Sequence, residues 1–165
     1  MIRRLLAASL VPLLGLLLSL APAAHAQVGL AGRTTSPIQE QLAGATTVTC
    51  SFTTQAAGDW DGSETSAEVS PIELELGFTN VNTDEGTASA GSDFGDAYII
   101  VNYTNDYLHF MQVFRSGPIY TTTVLAVEGE DDRLLAVHTR HEFTAVALPG
   151  YTSRPEMSIG SCTVD

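Results

Sequence analysis

From residue 47 onward, apolar and polar positions alternate at the period of a strand. In Thr47–Phe52, Val48, Cys50 and Phe52 share one face, while Thr47, Thr49 and Ser51 share the other. In the run SPIELELGF (70–78), Ile72, Leu74, Leu76 and Phe78 alternate with Glu73, Glu75 and Gly77, the clearest half-buried strand in the chain. Five more runs follow: AYIIVNY (97–103), YLHFMQVF (107–114), IYTTTVLAV (119–127), RLLAVHTRHEF (133–143) and MSIGSCTV (157–164). Thr104-Asn105-Asp106, Ser116-Gly117-Pro118, the acidic run 128–132 and Pro149-Gly150 separate them with turn chemistry. The polar, glycine-rich stretch 79–96 reads as a loop. No stretch carries a convincing amphipathic helical period; residues 27–45 read as a flexible leader with a short helical turn around Ile38 to Leu42.

Seven or eight strands joined by short turns pair with their sequence neighbours, so the pattern predicts an all-β fold built as an antiparallel meander. Two closures fit it, a small closed barrel and a two-layer sandwich. The barrel is preferred because it removes the edge strands that invite aggregation.

The N-terminus places the chain in an export route. Arg3 and Arg4 precede an apolar core, Leu5 to Leu20, broken by Pro12 and Gly15, and Ala24-His25-Ala26 supplies the small residues that signal peptidase requires. Residues 1–26 are therefore expected to be a signal peptide cleaved before Gln27, and residues 46–165 a single β domain. An exported pair of cysteines, Cys50 and Cys162, is most simply one disulfide. A bridge needs Cα atoms within about 7 Å, so the first and last strands must lie beside or across from one another. Periplasmic or secreted localisation follows, with no membrane attachment after cleavage.

Composition narrows the partners. The chain has 165 residues, 7 Arg, no Lys and 19 acidic residues, a net charge of −12. Without residues 1–26, and with them Arg3 and Arg4, the remaining 139 residues carry −14. Long-range repulsion on that scale argues against nucleic acid and anionic membrane surfaces.

The segment Cys50-Ser51-Phe52-Thr53-Thr54-Gln55, then Glu64-Thr65, and the final Gly160-Ser161-Cys162 resemble a group of small exported alphaproteobacterial proteins of unassigned function. Members share a C-x-F-T-T start and a G-x-C end. Relatives in that group often carry a second cysteine pair shortly after the first; here Ala56, Ala57 and the stretch 59–62 stand in its place. The resemblance implies export and a disulfide, and no activity.

Few side chains point to chemistry. His138, Arg140 and His141 form the densest cluster of His and Arg. On a regular strand His138 and Arg140 share a face and His141 does not, which makes His138 and Arg140 a candidate anion or ligand site. It also argues against a zinc or copper centre, for which His109 could supply only a further isolated ligand. The acidic loops 59–64 and 80–96 hold enough oxygen donors for an irregular calcium site. Neither is an EF-hand: the twelfth position from Asp59 is Ser70, and in the second Glu85 takes the place of the turn glycine. Turn chemistry accounts for both. Ser92 has no specified base beside it, and Glu73 and Glu75 lie opposite their strand's apolar face. Trp60 stands among acids, where an exposed indole could stack on a sugar.

The expected protein is thus an exported, non-enzymatic binding or accessory module with no catalytic residue, metal or cofactor, acting on an unknown ligand or protein. The alternatives are a carrier holding a small ligand inside a barrel, and a hydrolase or lyase with a site near His138, Arg140 and His141.

Overall fold

In the computed structural model, the described residues are 35–90, 97–142 and 154–165. One short helix, α1 (Pro37–Ala43), precedes eight strands: β1 (Val48–Asp61), β2 (Glu64–Asn82), β3 (Thr87–Ala90), β4 (Ala97–Thr104), β5 (Tyr107–Phe114), β6 (Ile119–Glu128), β7 (Leu134–His141) and β8 (Glu156–Val164). They form one antiparallel sheet in the order β3-β2-β1-β8-β7-β6-β5-β4. Each strand therefore lies beside its sequence neighbour except at one point. The meander breaks between β3 and β4, and β8 returns to lie beside β1.

That return places Cys50 directly opposite Cys162 in the β1–β8 register, and the two are joined as a disulfide with Cα atoms 4.0 Å apart. Both cysteines are buried. The expected all-β meander and its bridge between first and last strands hold. The preferred barrel closure does not: β3 and β4 are free ends of the sheet, and among the described residues no ladder joins them. A single backbone hydrogen bond, Val101 N–H donating to the Gly86 carbonyl at 2.8 Å, links β4 to the β2–β3 turn. With only four residues, β3 is too short to complete a wall. The sheet instead folds its two halves face to face, as in the sandwich alternative, and Phe78 of β2 stacks on Phe110 of β5 at 4.0 Å between centroids.

Two stretches are more ordered than their sequence suggests. Strands β1 and β2 run on past the core as a two-stranded ribbon to a turn at Gly62, which takes a positive φ of 63°. Most of that ribbon is exposed on both faces, so nothing imposes a period of two on its side chains and the alternation vanishes where the pairing continues. The expected loop 79–96 likewise contains the end of β2 and all of β3. Its turn is made by Asn82, whose Oδ1 accepts from the N–H groups of Asp84 and Glu85.

Helix α1 begins with a capping box. The Ser36 hydroxyl accepts from Gln39 N–H, the Gln39 side chain returns the bond to Ser36 N–H, and Pro37 takes the first position. Leu42 is fully buried in the core with Val48, Val81 and Val164. Tyr103 Oη donates to the Gln39 carbonyl and Gln41 Nε2 to the Val164 carbonyl, at 3.0 and 2.8 Å. The helix thus covers one end of the core, inside the stretch expected to be a flexible leader. The expected signal peptide lies outside the described residues, as do Ser92 and the Pro149-Gly150 break. Among the described residues, no helix is long and apolar enough to cross a membrane.

Candidate functional site

At the end of the sheet away from α1 the inward-facing positions turn polar, and the strand register shows how. Read across β8, β7, β6, β5 and β4, one rung of paired positions is Glu156, Arg140, Tyr120, Gln112 and Ile99. The rung below it is Ser158, His138, Thr122, Phe110 and Val101. Alternation along each strand puts these side chains on the same face as the apolar core. Buried polar groups are tolerated only where they find partners, and most of these do.

Arg140 is the centre of the upper rung. Its Nη1 donates to Glu156 Oε2 at 3.1 Å, and its Nη2 donates to Glu142 Oε2 at 3.2 Å and to Tyr120 Oη at 3.1 Å. Tyr120 Oη in turn donates to Glu142 Oε2 at 2.7 Å. The guanidinium also lies 4.8 Å from the centroid of the Tyr120 ring. Burial works against the charge of Arg140, but the bond to Tyr120 and the nearby carboxylates outweigh it, and its pKa is raised. Tyr120 is raised as well, by burial first and then by its bond to Glu142, against the pull of Arg140. The Glu156 side chain is almost fully buried and that of Glu142 nearly so.

In the lower rung, His138 Nδ1 meets Thr122 Oγ1 at 2.9 Å. The imidazole is 2% exposed. Burial, helped by the charge of Arg140, lowers its pKa to about 4. His138 is neutral at pH 7.

Above these rungs lies a pocket of about 180 Å³. Leu74, Leu76 and Phe78 of β2, with Ala90 of β3 and Phe114 of β5, form its apolar walls. Gln112, Tyr120, His138 and Arg140 supply the polar side. The pocket is available because β3 pairs with β2 only between Phe78 and Asn82, which leaves the 74–76 stretch of β2 without a described neighbour on that edge. Gln112 is 95% buried and its carboxamide bonds no described residue, but the one closed-off side-chain polar atom without a partner among the described residues is Arg140 Nε.

The two residues of the candidate anion or ligand site, His138 and Arg140, are therefore together in the pocket wall. Their surroundings differ from a bare positive spot, because Glu142 and Glu156 already hold Arg140 and an incoming anion would have to displace one of them. The other candidates are scattered. His141 is exposed on the opposite face near Thr139, and His109 lies on the outer face against Thr123. Among the described residues no group of three His, Cys, Asp or Glu could hold a metal. Asp59 pairs with Arg154 at 3.4 Å on the ribbon, and Trp60 is half exposed beside it. Glu73 and Glu75 point to solvent from the outer face of β2.

Sequence reasoning missed Gln112, Tyr120, Glu142 and Glu156. A signal existed for Gln112: in the run 107–114, Leu108, Phe110 and Phe114 make an apolar face, and Gln112 interrupts it. For Glu156 the spacing to Ser158 and Cys162 held the same information. What could not be read was the register that sets both beside Arg140. No protein-family model, no curated protein and no solved structure matches the chain.

Proposed function

We propose that this protein is an exported, non-enzymatic binding module that holds a small, largely apolar molecule in the pocket between β2 and β5–β7. The observation that carries this reading is Gln112. The residue is 95% buried and its carboxamide bonds no described residue, yet the amide is not among the closed-off polar atoms, so it opens onto the pocket. Here it lines a pocket whose other walls on that strand and on β2 are apolar, the combination that marks small-molecule sites. A ligand that fills the pocket gives Gln112 a partner and buries the partly exposed side chains of Leu74 and Leu76 at once.

The pocket is smaller than the ~300 Å³ at which drug-sized sites begin. Its scale is that of a cavity of about 150 Å³ that accepts benzene, so the fitting molecule is one ring or the end of a short chain. A titration of the ¹⁵N-labelled protein with single-ring compounds tests the reading. Chemical-shift changes are expected at 74–78, 112–114, 120 and 138–140, and Leu76→Trp, which fills the pocket, should abolish them. Shifts confined to the outer face of the sheet, or surviving in Leu76→Trp, would place the binding elsewhere.

A further inference from the structure

We infer that the pocket selects a neutral ring bearing a hydroxyl or carbonyl group and rejects the same ring bearing a carboxylate. The inference rests on the proposed pocket and names the chemical class it takes. It follows from how the polar side of the pocket is already committed. The Nη atoms of Arg140 are both bonded within the protein, to Glu156 at 3.1 Å and to Glu142 and Tyr120 at 3.2 and 3.1 Å. Its remaining nitrogen, Nε, is buried and has no hydrogen-bond partner among the described residues. The charge of Arg140 is nonetheless already met by the two carboxylates that hold its Nη atoms.

The formal charge of the cluster is one guanidinium against two carboxylates, and the protein around it is strongly acidic. A third carboxylate would enter a net negative site and lose its own hydration beside a cation already paired with two carboxylates, a situation in which burying a charge is costly. The group that does face the pocket without a partner is the Gln112 amide, which offers N–H donors and a carbonyl acceptor. A hydroxyl or a neutral carbonyl satisfies either end of it without adding charge. For the ring, Phe78 and Phe114 give flat apolar walls, and Phe114 is itself tilted at 56° against Tyr120 with centroids 4.7 Å apart, the geometry that holds aromatic faces rigid.

The test compares phenol, benzoate and benzylamine, similar in size and differing in charge, by ¹⁵N titration at pH 7 on the protein lacking residues 1–26. Phenol is expected to bind at least tenfold more tightly than benzoate, and Glu142→Gln should narrow that gap by relieving the repulsion. Because Glu142 also holds Arg140, the variant's unfolding midpoint is measured alongside, and the benzoate-to-phenol ratio is read only from its folded form. Benzoate binding as tightly as phenol would overturn the selectivity and leave the pocket reading standing, whereas benzylamine binding more tightly than benzoate is the order the net negative charge predicts. Binding by none of the three would overturn both.

Discussion

At the scale of single residues, His138 shows how an ordinary strand position becomes unusual. It occupies an inward slot that an apolar residue would fill, and its only bond to a described residue is through Nδ1 to Thr122. Burial and the neighbouring Arg140 hold its pKa at about 4, against about 6.5 in the unfolded chain. Below pH 6.5 the unfolded state takes up a proton that the folded state refuses. Stability is therefore greatest above 6.5 and falls as the pH drops toward 4, by up to about 3 kcal/mol from this group alone. Urea unfolding of the native protein and of His138→Gln, compared at pH 7 and pH 4.5, checks this. The native protein is expected to lose its advantage over the variant in acid; an advantage that is unchanged at both pH values would show that His138 does not titrate in this way. Sequence reasoning placed His138 and Arg140 on one face and His141 on the other, since alternation along a strand needs no tertiary information. Which face is the interior was not legible, because Leu135 and Val137 make the opposite face as apolar as Leu134 and Ala136 make this one. Of the partners of Arg140, Glu142 lies two residues on, where the same alternation puts it on the shared face, whereas Glu156 arrives through a strand pairing that no local pattern encodes.

At the scale of elements, the β1–β8 pairing is the joint of the fold, and its tightest point is Gly160. There the chain of β8 crosses β1 beside a register shift between Phe52 and Thr54. A Cβ on Gly160 would fall onto the Ser51 carbonyl oxygen and lie 2.7 Å from Phe52 Cα. These are backbone atoms of a paired strand and cannot move aside without breaking the ladder. Gly160→Ala is expected to destabilise by about 3 kcal/mol or more, at the upper end of overpacking effects. Gly77→Ala, whose Cβ meets nothing within 4 Å, should stay within about 1 kcal/mol of the native protein. Equal unfolding midpoints for the two variants would refute the close approach. The two glycines look alike in the sequence, each inside an alternating run, and only the structure separates them. The bridge between Cys50 and Cys162 was legible from compartment and count, and the register that sets them opposite one another followed from it. The β1–β2 ribbon was not, because pairing without a buried face leaves no hydrophobic period to read.

At the scale of the whole molecule, the polar end and the helical end divide the work of the sheet. Helix α1 covers one end of the core with Leu42 and is tied down by Tyr103 and Gln41. At the opposite end, among the described residues, β3 stops short of covering β2, and the buried polar rung lies beneath that stretch. A barrel was expected because closure hides sheet edges; here the acidic residues Glu73 and Glu75 and the adjacent Pro71 stand on the uncovered stretch of β2, which are the features that discourage edge-to-edge pairing. Proteins commonly accept a less stable site where a ligand must bind, and the proposed pocket, with Gln112 open to it, would be the expression of that trade here.

The most direct test of the account is therefore the unfolding free energy of Gln112→Met, measured by urea with and without saturating phenol. Methionine has the shape of glutamine and no polar atom to leave unsatisfied. The variant is expected to be at least as stable as the native protein when alone, since Gln112 bonds no described residue, and to gain less from phenol, because ligand stabilisation reflects binding to the folded state. A variant that is less stable alone and gains as much from phenol as the native protein would contradict the account, since Gln112 would then be holding the fold together rather than waiting for a ligand.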